Sequence, residues 1–210
     1  MSVDQPESDD WGNNEVVVLL DESGHFTGVA DKHQVHGRDT PLHLAFSCYI
    51  FAPDGRFMLT QRATTKKTWP GVWTNSCCGH PGPGEYLNTA VRRRVKQELG
   101  ITINDLMLVL PDFRYRAVMD DGMVEHEMCP VFRAISCSPP SPDPVEVERI
   151  SWVEWNAFCQ EVLSGHRDIS PWCVQQVSEL VGLGPEPLAW PVGNRELLPP
   201  AARGGDERGG

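Results

Sequence analysis

Glu125 and Glu127 stand two residues apart in VEHEMCP, a segment of strand character. Side chains at that spacing share one face of a strand. Two carboxylates on one face can hold a divalent ion or move a proton. SCCGHP, at residues 76–81, adds a thiol, Cys78, and an imidazole, His80. With His36 and His43 these make a candidate nitrogen-and-oxygen ligand set drawn from a loop, a strand, the SCCGHP loop and a hairpin. Such ligands suit a six-coordinate divalent ion such as Mn²⁺, with Mg²⁺ and Zn²⁺ as alternatives. Spacing alone does not make them converge, since a lone His on a strand is more often an ordinary core or surface residue.

The stretch GHPGPGEYLNTAVRRRVKQELGI, which begins at Gly79, carries a second pattern. Leu87, Ala90, Val91, Val95 and Leu99 fall at helical spacing over 86–99, and Gly100 is a natural stop. Gly79, Glu85, Arg93, Glu98, Gly100 and Ile101 have the spacing of the Nudix box, a loop–helix–loop that binds diphosphate through divalent metal. The full pattern has glutamates where this chain has Arg94 and Gln97. With Glu98 alone left of the terminal cluster, a multi-metal hydrolytic site is under-liganded. The phosphate-and-metal geometry is therefore expected to survive and hydrolysis to be lost. An amphipathic helix with solvated charges is the plainer reading of the same residues.

The elements that would carry these groups read as mixed α and β. Residues 15–20 form a short strand. Residues 42–51 and 56–61 flank APDG as a hairpin, and FRYRAVM and MVEHEMCPVFRAI flank DDG as another. LMLVL at 106–110 and residues 149–153 are strands. Two helices follow, the last starting at Ser170 with Pro171 in its first turn. Residues 1–14 and 186–210 are expected to be largely disordered tails around a single domain at 15–185.

The chain has 210 residues, 40% of them hydrophobic, with a formal net charge of -11. That charge argues against general nucleic-acid or membrane-surface binding, and no run approaches a membrane span. Seven cysteines without CxxC spacing read as free thiols of a cytoplasmic protein. Cys77 and Cys78 are neighbours that point apart in an extended segment, so Cys77 is assigned to packing, with a vicinal disulfide as the alternative.

Several stretches together resemble the type I isopentenyl diphosphate isomerase family: HGRDTPLHLAFS, TQRATTKKTWPGVWTNSCCGHP, the modified Nudix helix, PDFRYRA, EHEMCPVF and SPW. The resemblance covers roughly residues 15–180. It implies an α/β (α+β) fold, a Nudix-type α/β/α sandwich with a mixed β-sheet, and a monomer acting on a small isoprenyl diphosphate. It implies conversion of isopentenyl to dimethylallyl diphosphate by adding a proton, passing a carbocation-like state and removing another proton. By the same resemblance Cys78 and Glu127 transfer protons, Tyr115 supports Glu127, and Trp172 faces the developing cation. Arg62 and Lys66, with Lys32 as a weaker third, meet the diphosphate. His36, His43, His80, Glu125 and Glu127 hold Mn²⁺ or Zn²⁺, and Glu98 holds Mg²⁺ with the diphosphate. The rival readings are a Nudix pyrophosphohydrolase, which Arg94 and Gln97 oppose, and a non-catalytic zinc module, which lacks a second cysteine pair.

Overall fold

Two points at which a strand segment passes from one sheet to the other build the molecule from two sheets. The structure, a computed structural model, describes residues 16–203, and the expectation for residues 1–14 lies outside that range. Strands β1 (Val16–Leu20), β2 (Phe26–Asp31), β3 (His43–Leu44), β9 (Arg114–Val118) and β10 (Val124–Met128) form a five-stranded sheet in the order β2-β1-β3-β10-β9. The larger sheet runs β12-β5-β4-β11-β8, from β4 (Phe46–Phe51), β5 (Phe57–Arg62), β8 (Asn104–Leu110), β11 (Val131–Ile135) and β12 (Val147–Val153). Two short strands, β6 (Trp73–Thr74) and β7 (Cys77–Gly79), pair with β5 and β4.

The expected hairpins are thus more divided than their alternation indicated. Residues 42–51 change sheet at Ala45, and the 123–135 stretch changes sheet at Cys129–Pro130, where proline has no N–H to continue a ladder. The two segments run side by side in parallel, β3 with β10 and β4 with β11, and Ala45 N donates to the Met128 carbonyl at 2.9 Å across the switch. Strands β4 and β5 are bridged only at Phe51 and Phe57, beside the turn. Beyond that bridge Ser76 wedges between them, its hydroxyl accepting from Ile50 N and donating to the Met58 carbonyl.

Helices cover both faces of the larger sheet. On one side α1 (Leu87–Leu99) buries Leu87, Ala90, Val91, Val95 and Leu99 against Phe46, Cys48 and Ile50. Gly100 ends it in the left-handed region at φ 68°, where glycine has no Cβ penalty. On the other side α2 (Trp155–Leu163) and α3 (Pro171–Leu180) pack on Tyr49, Phe51, Phe57 and Leu59. The odd–even split of β4 between the two faces is the period-2 pattern of a strand buried on both sides.

The expectation that residues 186–210 are largely disordered fails over 186–203. Three short 3₁₀ turns lie there, at Pro187–Ala189, Arg195–Leu197 and Pro200–Ala202, and Trp190 and Leu198 are buried. This segment lacks helical or strand periodicity, but its apolar side chains fill gaps between elements formed earlier in the chain.

Candidate active site

The strand register brings the acids and imidazoles together. Glu127 on β10 lies opposite His43 on the parallel β3 and opposite Tyr115 on the antiparallel β9. His43 Nε2 is then 3.4 Å from Glu127 Oε1, and His80, just after β7, places Nε2 3.0 Å from the same oxygen. His36 joins from the loop after β2, its ring centroid 5.3 Å from that of His43. One ligand atom from each of His36, His43, His80 and Glu127 lies within 4.8 Å of the others. Glu125 is the one expected ligand outside this group. Its carboxylate accepts from Tyr115 Oη at 2.8 Å, and the same hydroxyl is 2.9 Å from Glu127 Oε2.

The donor set fits a divalent cation. His36 Nε2 and His43 Nε2 are buried without a hydrogen-bond partner. The His43 Nδ1–H donates to the Pro41 carbonyl at 2.9 Å, which leaves Nε2 as the ring atom facing the group. Burial depresses His36 and His80 to about 4, so both rings are neutral and able to ligate. Burial also opposes charge on His43, but the Glu127 carboxylate outweighs it and raises His43. Burial opposes charge on Glu127 as well, yet His43 and His80 hold its carboxyl well below the usual range. Burial and the Glu127 charge push Glu125 up. Two adjacent carboxyls are thereby driven apart, the pattern that separates an acid from a base.

The thiol enters the same cavity, of about 370 Å³, from the larger sheet. Cys78 on β7 is half-buried, while Cys77 points to the α1 side, where its sulfur donates to Glu98 at 3.5 Å. Both cysteines are free, so the vicinal-disulfide alternative is set aside. Cys78 Sγ donates to Asn75 Oδ1 at 3.2 Å and lies 3.4 Å from Ser47 Oγ. The Asn75 amide cannot be reversed without loss, because its Nδ2 donates to the Cys77 carbonyl at 3.0 Å. Asn75 Oδ1 also accepts from Trp172 Nε1 at 3.1 Å, so one amide oxygen fixes both the sulfur and the indole. Burial pushes the Cys78 thiol up to about 12 and keeps it protonated at neutral pH.

Trp172, on α3, is buried with its ring edge-on to Trp69 at 5.3 Å and tilted against Tyr115 at 5.8 Å. Trp69 has φ 44° just before Pro70, a strained backbone state behind Trp172. Arg62 lies over the Trp172 ring at 5.7 Å and donates to the Thr68 carbonyl from Nε and Nη2 at 3.1 and 2.9 Å. Lys32 and Lys66 line the mouth. Arg94 pairs with Glu98 and comes within 3.3 Å of Glu146, which also pairs with Lys66. Arg93 forks onto Glu85 at 2.7 Å and reaches the His80 carbonyl at 3.2 Å, so the Gly79–Glu85–Arg93 spacing braces the loop that presents His80.

Asn75, Ser47, Thr68 and Glu146 were not singled out from sequence. Asn75 had a signal, since it sits inside the WPGVWTNS stretch. Glu146 had none, lying at the end of a Pro/Ser-rich segment.

A NUDIX domain model matches residues 41–173. An isopentenyl-diphosphate Delta-isomerase of Saccharopolyspora erythraea is 57% identical over 90% of this chain and 97% of its own length. One of Rhizobium rhizogenes is 50% identical over 90% and 91%. Among solved structures, a Deinococcus radiodurans protein superposes with a TM-score of 0.61 at 14% identity, covering 79% of this chain and 98% of that one. A MutT protein of Methanosarcina mazei gives 0.53 at 19% identity, with 68% and 94% coverage. These structural likenesses bear on the fold alone, an α+β arrangement with helices on both faces of a mixed sheet.

Proposed function

The chain belongs to the NUDIX family and, within it, to the isopentenyl-diphosphate Delta-isomerases, and from that membership we propose how its cavity shifts a double bond. The protein interconverts isopentenyl and dimethylallyl diphosphate. The observation that carries the mechanism is the meeting of a protonated thiol, an ionised carboxylate and an indole in one cavity.

Alkene isomerisation needs one group that holds a proton and one that lacks it. Cys78 and Glu127 are such a pair, reaching the cavity from different sheets. The acid adds a proton to the alkene terminus, positive charge develops at the tertiary carbon, and the base removes a proton from the neighbouring methylene. The number of protons on the protein is unchanged once they redistribute. Tyr115 holds Glu125 and Glu127 in place through its hydroxyl. The Trp172 indole shelters the cation, a contact worth about 2 kcal/mol when desolvated. Burial of the site keeps water from quenching the intermediate.

We assign His36, His43, His80 and Glu127, with Glu125 as fifth ligand, to Mn²⁺ or Zn²⁺. When bound, such an ion supplies fixed positive charge that favours the carboxylate form of Glu127. Glu98 is assigned to Mg²⁺ accompanying the diphosphate, and Arg62, Lys66 and Lys32 to its phosphate oxygens. Hydrolysis is disfavoured because Arg94 and Gln97 stand where the Nudix box has glutamates, which leaves a multi-metal site short of carboxylate ligands.

Incubation with isopentenyl diphosphate in D₂O tests the reading. Deuterium enters dimethylallyl diphosphate without phosphate release; free phosphate with no allylic product defeats it. Cys78→Ala and Glu127→Gln each lower turnover by about 10³-fold while circular dichroism stays unchanged. Parent-like turnover in either variant removes that residue from the chemistry.

A further inference from the structure

The cavity mouth holds a carboxylate that the double-bond shift does not use. Glu146 lies in the segment leading into β12, pairs with Lys66 and stands 3.3 Å from Arg94 Nη2. Its backbone is pinned on two sides. The Glu146 carbonyl accepts from Ala63 N at 3.0 Å, and the Glu146 N–H donates to the Asp143 carbonyl at 3.0 Å. Asp143 N in turn donates to the Glu98 carbonyl at 2.9 Å, tying the segment to the end of α1. The side chain is therefore aimed into the mouth by fixed backbone. The two cations it engages are among those that line the cavity.

We propose that Glu146 is an internal stand-in for the substrate diphosphate, occupying Lys66 and Arg94 while the site is empty and yielding them when a diphosphate arrives. The inference rests on the reading above that the Lys66 side of the cavity takes the diphosphate. A diphosphate drawn to the same ammonium meets like-charge repulsion from the carboxylate already there, so the two anions compete for it. A tethered anion competes at high effective concentration. It keeps Lys66 and Arg94 pre-arranged, and it weakens binding of any diphosphate, substrate or product alike. Product release is then assisted by a group that returns to its partners as the product leaves.

Inorganic pyrophosphate, titrated calorimetrically into metal-loaded protein at fixed free Mg²⁺, provides the test. Glu146→Gln is expected to bind pyrophosphate about tenfold more tightly than the parent, since the competing charge is gone and the side-chain shape is kept. Glu148→Gln removes the same charge from an exposed position two residues on, and its affinity should stay within about twofold of the parent. Equal or weaker binding by Glu146→Gln, while the parent binds, overturns this inference alone. An equal gain in Glu148→Gln also overturns it, because the effect would then be general charge. A raised Mg²⁺ requirement in Glu146→Gln overturns it by making Glu146 a metal ligand. Pyrophosphate that binds neither protein defeats both this inference and the diphosphate reading beneath it.

Discussion

A sulfur, an indole and a shared amide oxygen show how finely side-chain placement governs this cavity. Asn75 is fully buried, and its Oδ1 accepts from Cys78 Sγ and Trp172 Nε1 at 3.2 and 3.1 Å. Asn75→Ala removes both anchors without touching the cations at the mouth. It is expected to lower kcat by about 10²-fold, the effect of a misplaced reacting group, with KM unchanged; a change in KM alone would assign Asn75 to substrate binding instead. The imidazoles give a separate prediction about protons. His36 and His80 are depressed to about 4, so both are neutral at pH 6, whereas His43 is raised and carries a proton there. Divalent metal added to metal-free protein at pH 6 should therefore release a proton from His43 and at most one more from the raised Glu125 carboxyl, with none from His36 or His80. As pH falls through about 4, His36 and His80 also protonate, release rises and affinity drops. Calorimetry in buffers of different ionisation enthalpy measures the count, and release of nearly three protons at pH 6 would contradict this ordering. Trp172→Leu should lower kcat by about one to two decades through loss of the cation–π contact, and a parent-like kcat in steady-state turnover would remove the indole from that role.

Strand β7 shows what three residues of backbone must accomplish. It faces Cys77 toward α1 and Cys78 toward the cavity, and it leads directly into His80. Gly79 lies between them because a Cβ there would sit 2.9 Å from both Arg94 Cγ and Phe46 Cζ. Gly79→Ala must push the strand off β4 or displace α1, so it should destabilise the fold by about 1–3 kcal/mol. It should also weaken metal binding through His80. Urea unfolding together with a metal titration reads both, and an unaffected metal affinity would show that His80 is held independently of β7. The helix of α1 and the alternation of β9 were legible in the sequence, since each buries one face with a regular period. The sheet switches at Ala45 and Cys129–Pro130 were not, because apolar residues run through both points without a gap. Pro130 was the one local sign of a break. The same limit hid Glu146, which reaches the site only because Ala63 and the end of α1 fix its loop. Such pairing is written in tertiary contacts, and no spacing records it.

The C-terminal segment extends that lesson to the entire molecule. Rich in Pro and without a period, residues 186–203 read as a tail, yet they tie together three apolar clusters. Trp190 packs on the α2–α3 side, edge-on to Phe51 at 5.8 Å and Trp155 at 5.3 Å, and its Nε1 donates to the Gly184 carbonyl. Leu198 joins the cluster under α1, and Ala201 packs on the small sheet. Gly193 N donates to the Leu108 carbonyl at 2.8 Å and Ala201 N to the Gly24 carbonyl at 3.0 Å, so the segment runs from the β8 edge to the β1–β2 turn. None of its residues lines the catalytic cavity. It therefore acts on stability and leaves the chemistry to others. Trp190→Ala leaves a large void among aromatic rings and should destabilise the protein by about 3–5 kcal/mol. Denaturant unfolding would show the midpoint fall with the slope unchanged, while turnover well below the transition stays near that of the parent. A loss under about 1 kcal/mol would mean the segment covers the core without supporting it, and lost turnover in still-folded protein would mean that it communicates with the cavity.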